Sequence, residues 1–174
     1  LLRVQANPWL SGIAAVYVDL MRGVPLIVLS FFIYFGIPQM TGVRFSSAAA
    51  GIMTLSLNAA AYVAEIVRGG IQAIDKGQME ASRSLGLSYG KTMQKIILPQ
   101  AIKLMIPSFI NQFVITLKDT SILSVIGLVE LTQTGSVIIA RTYQSGSMWL
   151  IVGLIYLIVI TALTRLSKRL EGGK

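Results

Sequence analysis

Apolar residues run along this chain in long blocks, separated by short polar and basic stretches. A helix needs about 20 mostly apolar residues to cross roughly 30 Å of hydrocarbon. Residues 16–35, 47–67, 101–117 and 147–164 meet that pattern with varying strength. A fifth apolar stretch, 122–140, is interrupted by Glu130, Thr132, Gln133, Thr134 and Gly135. It is read as a short or re-entrant helix packed inside the protein, where irregular backbone at membrane depth is tolerated. The fold class expected is therefore an all-α, polytopic helical bundle in a membrane. It has four spans in these 174 residues, a short internal helix and a structured loop at about 75–99.

Basic residues then orient the bundle, because Lys and Arg are in excess on cytoplasmic loops. Arg68, Lys76, Arg83, Lys91, Lys95 and Lys103 fall between the second and third spans, and Arg165, Lys168, Arg169 and Lys174 follow the last. The opposite side holds Arg44, Lys118 and Arg141. The central loop and the C-terminus are thus expected in the cytoplasm, which requires that 122–140 does not cross. The same rule places Leu1 on the cytoplasmic side. The N-terminus lacks Met and has no basic region before an apolar core, so the chain is expected to begin inside a longer protein. One further span ahead of it would give the subunit at least five.

Composition narrows the chemistry. Hydrophobic residues make up 54% and charged residues 13%, with a mean hydropathy of +0.72, as befits a bilayer domain rather than a soluble one. The net charge of +8 comes from residues flanking apolar blocks, not from a dense basic run with stacking aromatics, so lipid and not nucleic acid is the expected partner. Without Cys or His there is no disulfide framework, no thiol nucleophile and no usual zinc site.

The loop at 75–99 is punctuated like folded structure and reads as two helices. Asp75 caps the first, with Gln78 completing a capping-box-like pair and Gly86 supplying a left-handed stop. Ser88 caps the second, in which Met93, Ile96 and Ile97 form an apolar stripe ahead of Pro99. The first helix carries Met79, Ala81, Ser82 and Leu85 with charges at Glu80 and Arg83, a low-relief surface suited to a groove on another protein.

Those residues resemble a known signature. Glu80-Ala81-Ser82, then Gly86, then Ile96-x-Leu98-Pro99 is similar to the EAA motif of bacterial ABC import permeases, with Ser82 replacing the second Ala. Arg22-Gly23-Val24-Pro25-Leu26, Ala61-Tyr62-Val63-Ala64-Glu65-Ile66-Val67-Arg68-Gly69, Leu98-Pro99-Gln100-Ala101 and Lys118-Asp119-Thr120-Ser121 extend the resemblance to the polar amino acid group. Val24 stands there in place of the usual Thr. The resemblance implies a single permease domain over 1–174 in a bacterial cytoplasmic membrane, importing a glutamine- or glutamate-like amino acid. Glu80, Ala81, Ser82, Arg83, Leu85 and Gly86 would form the coupling helix that docks on an ATPase dimer. It also implies a second permease subunit, expected as a homodimer, and an extracytoplasmic binding protein, separate or fused. ATP and magnesium would be used in the partner. Gly86-Leu-Ser-Tyr-Gly90-Lys91-Thr92 looks like a phosphate loop but has three residues between its glycines where that loop needs four, and no strand precedes it. No cofactor is therefore expected on this chain, which is not itself an enzyme.

Polar groups within spans are costly and usually face protein or a water-filled path. Thr54, Asn58, Tyr62 and Glu65 share roughly one face of the second span, as do Gln112, Thr116 and Asp119 on the third. These are the candidate substrate path. Cavity lining and helix-to-helix hydrogen bonding both remain open for Asn58, Gln112 and Thr116, and Glu65 with Arg68 suits a structural ion pair. Pro25, Pro99 and Pro107 suit either hinges or packing kinks. Glu130 and Arg141 share a face only if the helix runs unbroken through Gly135. A gradient-driven transporter or channel, with Glu65 relaying protons, is the main alternative; a membrane scaffold without a substrate is another. Neither accounts for the structured loop.

Overall fold

Two apolar clusters with a polar layer between them set the arrangement of the helices. The computed structural model describes residues 8–172, and the regular structure among the described residues is all helical. Leu1 and Lys174, used above for orientation, lie outside the described residues.

The block expected as one span at 16–35 is two helices. Helix α1 covers Pro8–Gly23 and α2 covers Leu26–Thr41, the two meeting at 102°. Proline lacks an N–H and pushes the residue before it out of the helical region, so the chain leaves α1 at Gly23. Pro25, with φ −57° and ψ 138°, turns it into α2. Helix α2 stops at Gly42, whose φ of +77° suits glycine. Helix α3, Ser47–Gln72, starts on the Ser46 hydroxyl, which accepts the Ala49 N–H at 3.2 Å. A short helix α4, Lys76–Ser84, leads to α5, which runs over residues 89–119. A 3-10 segment, Thr120–Ile126, turns at Gly127 (φ +75°) into α6, Leu131–Thr142. Helix α7 is Ser145–Gly172. Among the described residues three helical runs are long and apolar enough to cross a membrane, Ser47–Gln72, Tyr89–Ile126 and Ser145–Ser167, with a fourth if α1 and α2 count as one broken span.

Helices α2 and α5 each contain one π-turn, at Phe32–Gly36 and Met93–Ile97. In both, the residue that closes the wide turn immediately precedes a proline: Ile37 N–H bonds Phe32 O ahead of Pro38, and Leu98 N–H bonds Met93 O ahead of Pro99. A proline ring collides with the carbonyl four residues back. Widening the preceding turn moves that carbonyl away and lets the helix continue.

Helices α3 and α5 form the antiparallel centre. One cluster joins Leu29 and Ile33 of α2 to Ala50 of α3 and to Leu123 and Ile126 of the 3-10 segment. The other joins Ile71, Ile97, Ala101 and Met105 at the opposite end. There the helices approach closely, since a Cβ on Gly70 would stand 2.2 Å from Met105 Cγ. Between the clusters lie buried Thr54, Asn58 and Gln112. Helix α6 has 12 residues, about 18 Å of rise, too short to cross. It packs on α7, where Gly135 meets Val152. The stretch expected at 122–140 as one short internal helix is instead the 3-10 segment followed by α6, which runs unbroken through Gly135, its one buried residue. The outer face of α7 is apolar, with Leu150, Leu157 and Ile158 61–66% exposed, as suits lipid contact.

A Gly70→Val substitution would force α3 and α5 apart at Met105. It should lower stability by about 1–3 kcal/mol, read as an earlier unfolding midpoint in detergent.

Candidate functional site

A cavity of about 910 Å³ opens where the α1–α2 break meets the facing sides of α3 and α5. Gly23, Val24, Pro25 and Leu26 form its wall at the break, and Ile66, Pro107 and Ile115 add apolar surface. Asn58 and Tyr62 enter from α3, and Ser108, Asn111, Gln112 and Asp119 from α5. Arg22 contributes the positive charge and Asp119 the negative one. The two polar faces read from the sequence therefore do converge, but only in part. Asn58, Tyr62, Gln112 and Asp119 line the cavity, whereas Thr54, Glu65 and Thr116 do not.

The three that stand aside are occupied by structural bonds. Thr54 is fully buried and its hydroxyl donates to Ala50 O at 2.7 Å. Thr116 donates to Gln112 O at 2.9 Å and accepts from Gln112 Nε2 at 3.3 Å, fixing the side chain that does reach the cavity. Glu65 binds Arg68 at 2.8 Å and Arg22 at 3.4 Å. Arg68 also donates to Gln72 at 2.7 Å. The ion pair expected between Glu65 and Arg68 is present, and Arg22 joins it from another helix.

Arg22 is placed by more than charge. Its guanidinium lies 5.4 Å from the Tyr62 ring centroid, a cation–π contact, while Asn58 Nδ2 donates to Met21 O at 3.2 Å. Tyr17 donates to Leu57 O at 2.7 Å. These contacts staple the end of α1 to the middle of α3 and hold the break open beside the cavity. Arg22, Pro107, Ser108 and Asn111 were not among the path residues read from the sequence. The spacing 108, 111, 112, 115, 119 is one helical stripe, and extending the α5 face back by one turn from Gln112 would have found Ser108 and Asn111.

The loop at 75–99 folds in part as the sequence suggests: α4 is present, but Gln78 does not complete the capping pair with Asp75, its N–H going to the Asp75 carbonyl, and the second helix runs on through Pro99 as the start of α5. Asp75 Oδ1 accepts the Gly77 N–H at 2.6 Å. The end of α4 is a Schellman motif, with Leu87 N–H to Ser82 O at 3.2 Å, Gly86 N–H to Arg83 O at 3.0 Å, and Gly86 at φ +83°. Met93, Ile96 and Ile97 pack into the second apolar cluster, with Met79 beside them. Ser88 holds the cap position of the following helix, but its side chain makes no cap bond. Ser82 does not face outward. It is 4% exposed and donates to Gln78 O at 2.6 Å, because its face of α4 is turned toward the chain. Glu80, Ala81, Arg83, Leu85 and Gly86 are exposed, and Leu85, at 84%, is an apolar knob at the tip.

Removing Glu65 takes away the carboxylate that Arg22 and Arg68 share, while both guanidinium groups stay partly exposed. Glu65→Ala should cost about 0.5–1.5 kcal/mol, measured by unfolding in detergent. Arg22→Ala should cost less, since Arg68 retains Glu65.

The family described as binding-protein-dependent transport system inner membrane component matches residues 1–173. The arginine transport system permease protein ArtQ of Bacillus subtilis (strain 168) is 42% identical over 159 residues, covering 91% of this chain and 73% of that protein. The glutamine transport system permease protein GlnP of Escherichia coli (strain K12) is 39% identical over 165 residues, covering 94% and 75%. A crystal structure of an amino acid ABC transporter superimposes with a TM-score of 0.93 at 37% identity, covering 98% and 79%. The MetNI methionine ABC transporter shares the fold at 21% identity, with a TM-score of 0.78 and coverage of 97% and 77%.

Proposed function

The chain belongs to the binding-protein-dependent transport system inner membrane components, and from that membership we propose that it is the transmembrane subunit of an ATP-binding cassette importer for a polar amino acid of the arginine or glutamine kind. The cavity between α3 and α5, with a cation at one part of its wall and a carboxylate at another, is the observation that carries the substrate class. An amino acid zwitterion presents a carboxylate and an ammonium, and Arg22 and Asp119 offer the opposite charge to each. Asn58, Ser108, Asn111 and Gln112 supply neutral donors and acceptors between them. Membership in the family and the likeness to amino acid importers do not support the gradient-driven alternative.

ATP and magnesium belong to a partner ATPase, docked on the exposed side of α4 through Glu80, Ala81, Arg83, Leu85 and Gly86. A second permease subunit, a second copy of this chain in the simplest assembly, completes the path, and an extracytoplasmic binding protein delivers the amino acid. The C-terminus and the α4 loop share the cytoplasmic side, where most of the basic residues gather. ATPase closure moves the paired α4 helices, and because Met79 and Met93 pack in one cluster with Ala101 and Met105, that movement reaches the α3–α5 pair. The spans then alternate access to the cavity as packed bodies.

Asp119→Asn should raise the KM for uptake about ten- to a hundredfold, the value of one hydrogen bond to a charged group, measured with radiolabelled amino acids in proteoliposomes holding the assembled complex. A Gly86→Pro variant cannot adopt φ +83°, since proline is fixed near −65°, and it loses the amide that binds Arg83 O. It should reach the membrane yet lose substrate-stimulated ATP hydrolysis; full stimulation would overturn the coupling role of α4.

A further inference from the structure

Glu130 lies outside the cavity and outside the α4 surface, yet it is the most densely bonded carboxylate between helices α6 and α7. Its Oε1 accepts the Gln133 N–H at 2.6 Å and its Oε2 accepts the Thr132 N–H at 2.8 Å, so it caps α6. The same Oε2 accepts the Tyr156 hydroxyl of α7 at 2.9 Å, and that hydroxyl stands 3.5 Å from Thr132 Oγ1. Tyr156 is eleven residues past Ser145, about 16 Å along α7, near half the depth of a bilayer. Lipid at that depth offers the hydroxyl and the carboxylate no alternative partners, so each of these bonds is worth keeping intact.

Helix α6 is joined through residues 127–130 to the 3-10 segment, whose Leu123 and Ile126 are buried against Leu29 and Ile33 of α2. That segment begins directly after Asp119, on the cavity wall. We propose that Glu130 is a positioning residue: its bond to Tyr156 latches the hairpin formed by the 3-10 segment and α6, residues 120–142, onto the last span, so that α7, the hairpin and the Asp119 end of the cavity move as one body during transport. The carboxylate serves two elements at once, and the length of glutamate is what allows it. Aspartate is a favoured helix cap but is one methylene shorter, so Glu130→Asp keeps the α6 cap while breaking the reach to Tyr156. Tyr156→Phe breaks the same bond from the other end and leaves the cap untouched.

The chain has no cysteine, so Val129→Cys, at an 80% exposed position on the hairpin, accepts a nitroxide label in the assembled complex. Each single variant should shorten the label's correlation time two- to fivefold. Each should also lower amino acid taken up per ATP hydrolysed about three- to tenfold. The double variant should fall well short of the sum of the two single ones, because each removes the Glu130–Tyr156 bond; Tyr156→Phe also loses the contact with Thr132. Unchanged label mobility in both variants would overturn the latch, as would uptake and hydrolysis falling in equal proportion, which marks a merely structural loss. The uptake readout rests on the importer reading. If the unmodified complex shows no ATP-driven uptake of any amino acid, that reading fails, and label mobility alone decides for or against the latch.

Discussion

A backbone at membrane depth has no water to satisfy its amides, and that single constraint explains where this chain is regular and where it is not. The long helices satisfy themselves. Several departures from them carry their own replacement partners. The α1–α2 break falls at a proline, which has no N–H to orphan, and its neighbouring Met21 carbonyl is taken by Asn58. Two of the three prolines inside helical runs, Pro38 and Pro99, are preceded by widened turns whose closing amides still find acceptors. The start of α6 is covered by Glu130. Irregular backbone is therefore concentrated at a few positions, and one of them, the α1–α2 break, forms a wall of the cavity.

The polar middle layer follows from the same logic. Two apolar clusters fix the ends of the α3–α5 pair, so the side chains between them are held at a set separation without having to provide the attraction themselves. Asn58 and Gln112 are free to combine packing with cavity lining, and the sequence had left those two roles as alternatives. The Glu65 cluster binds charges from α1 and from α3 itself, which makes Arg22 a fixed feature of the wall rather than a mobile side chain.

Much of this was legible in the sequence where the signal was local. Asp75 and Gly86 marked the ends of α4 because caps are read from neighbouring residues, and the three later spans were plain from apolar length. The 16–35 block misled because an average over twenty residues hides a turn of two, and only Pro25 pointed to it. Thr54 has the periodicity of a cavity residue but spends its hydroxyl on its own helix, a choice that periodicity does not encode. Ser82 sits within a surface motif and yet is turned inward, since the face of α4 that packs is decided by Ile71, Met93 and Ile97 outside the motif. The Glu130 and Tyr156 pair spans 26 residues, and no local pattern announces it.

The unbroken run from Tyr89 to Ile126 has a mechanical corollary. At 38 residues it is about 57 Å long, with the exposed loop at one end and the hairpin at the other. A rod of that length tilted by about 5° about one end carries its far end roughly 5 Å, by the same rise per residue. Leverage of this kind turns small angular adjustments at a protein surface into displacements the size of an amino acid side chain.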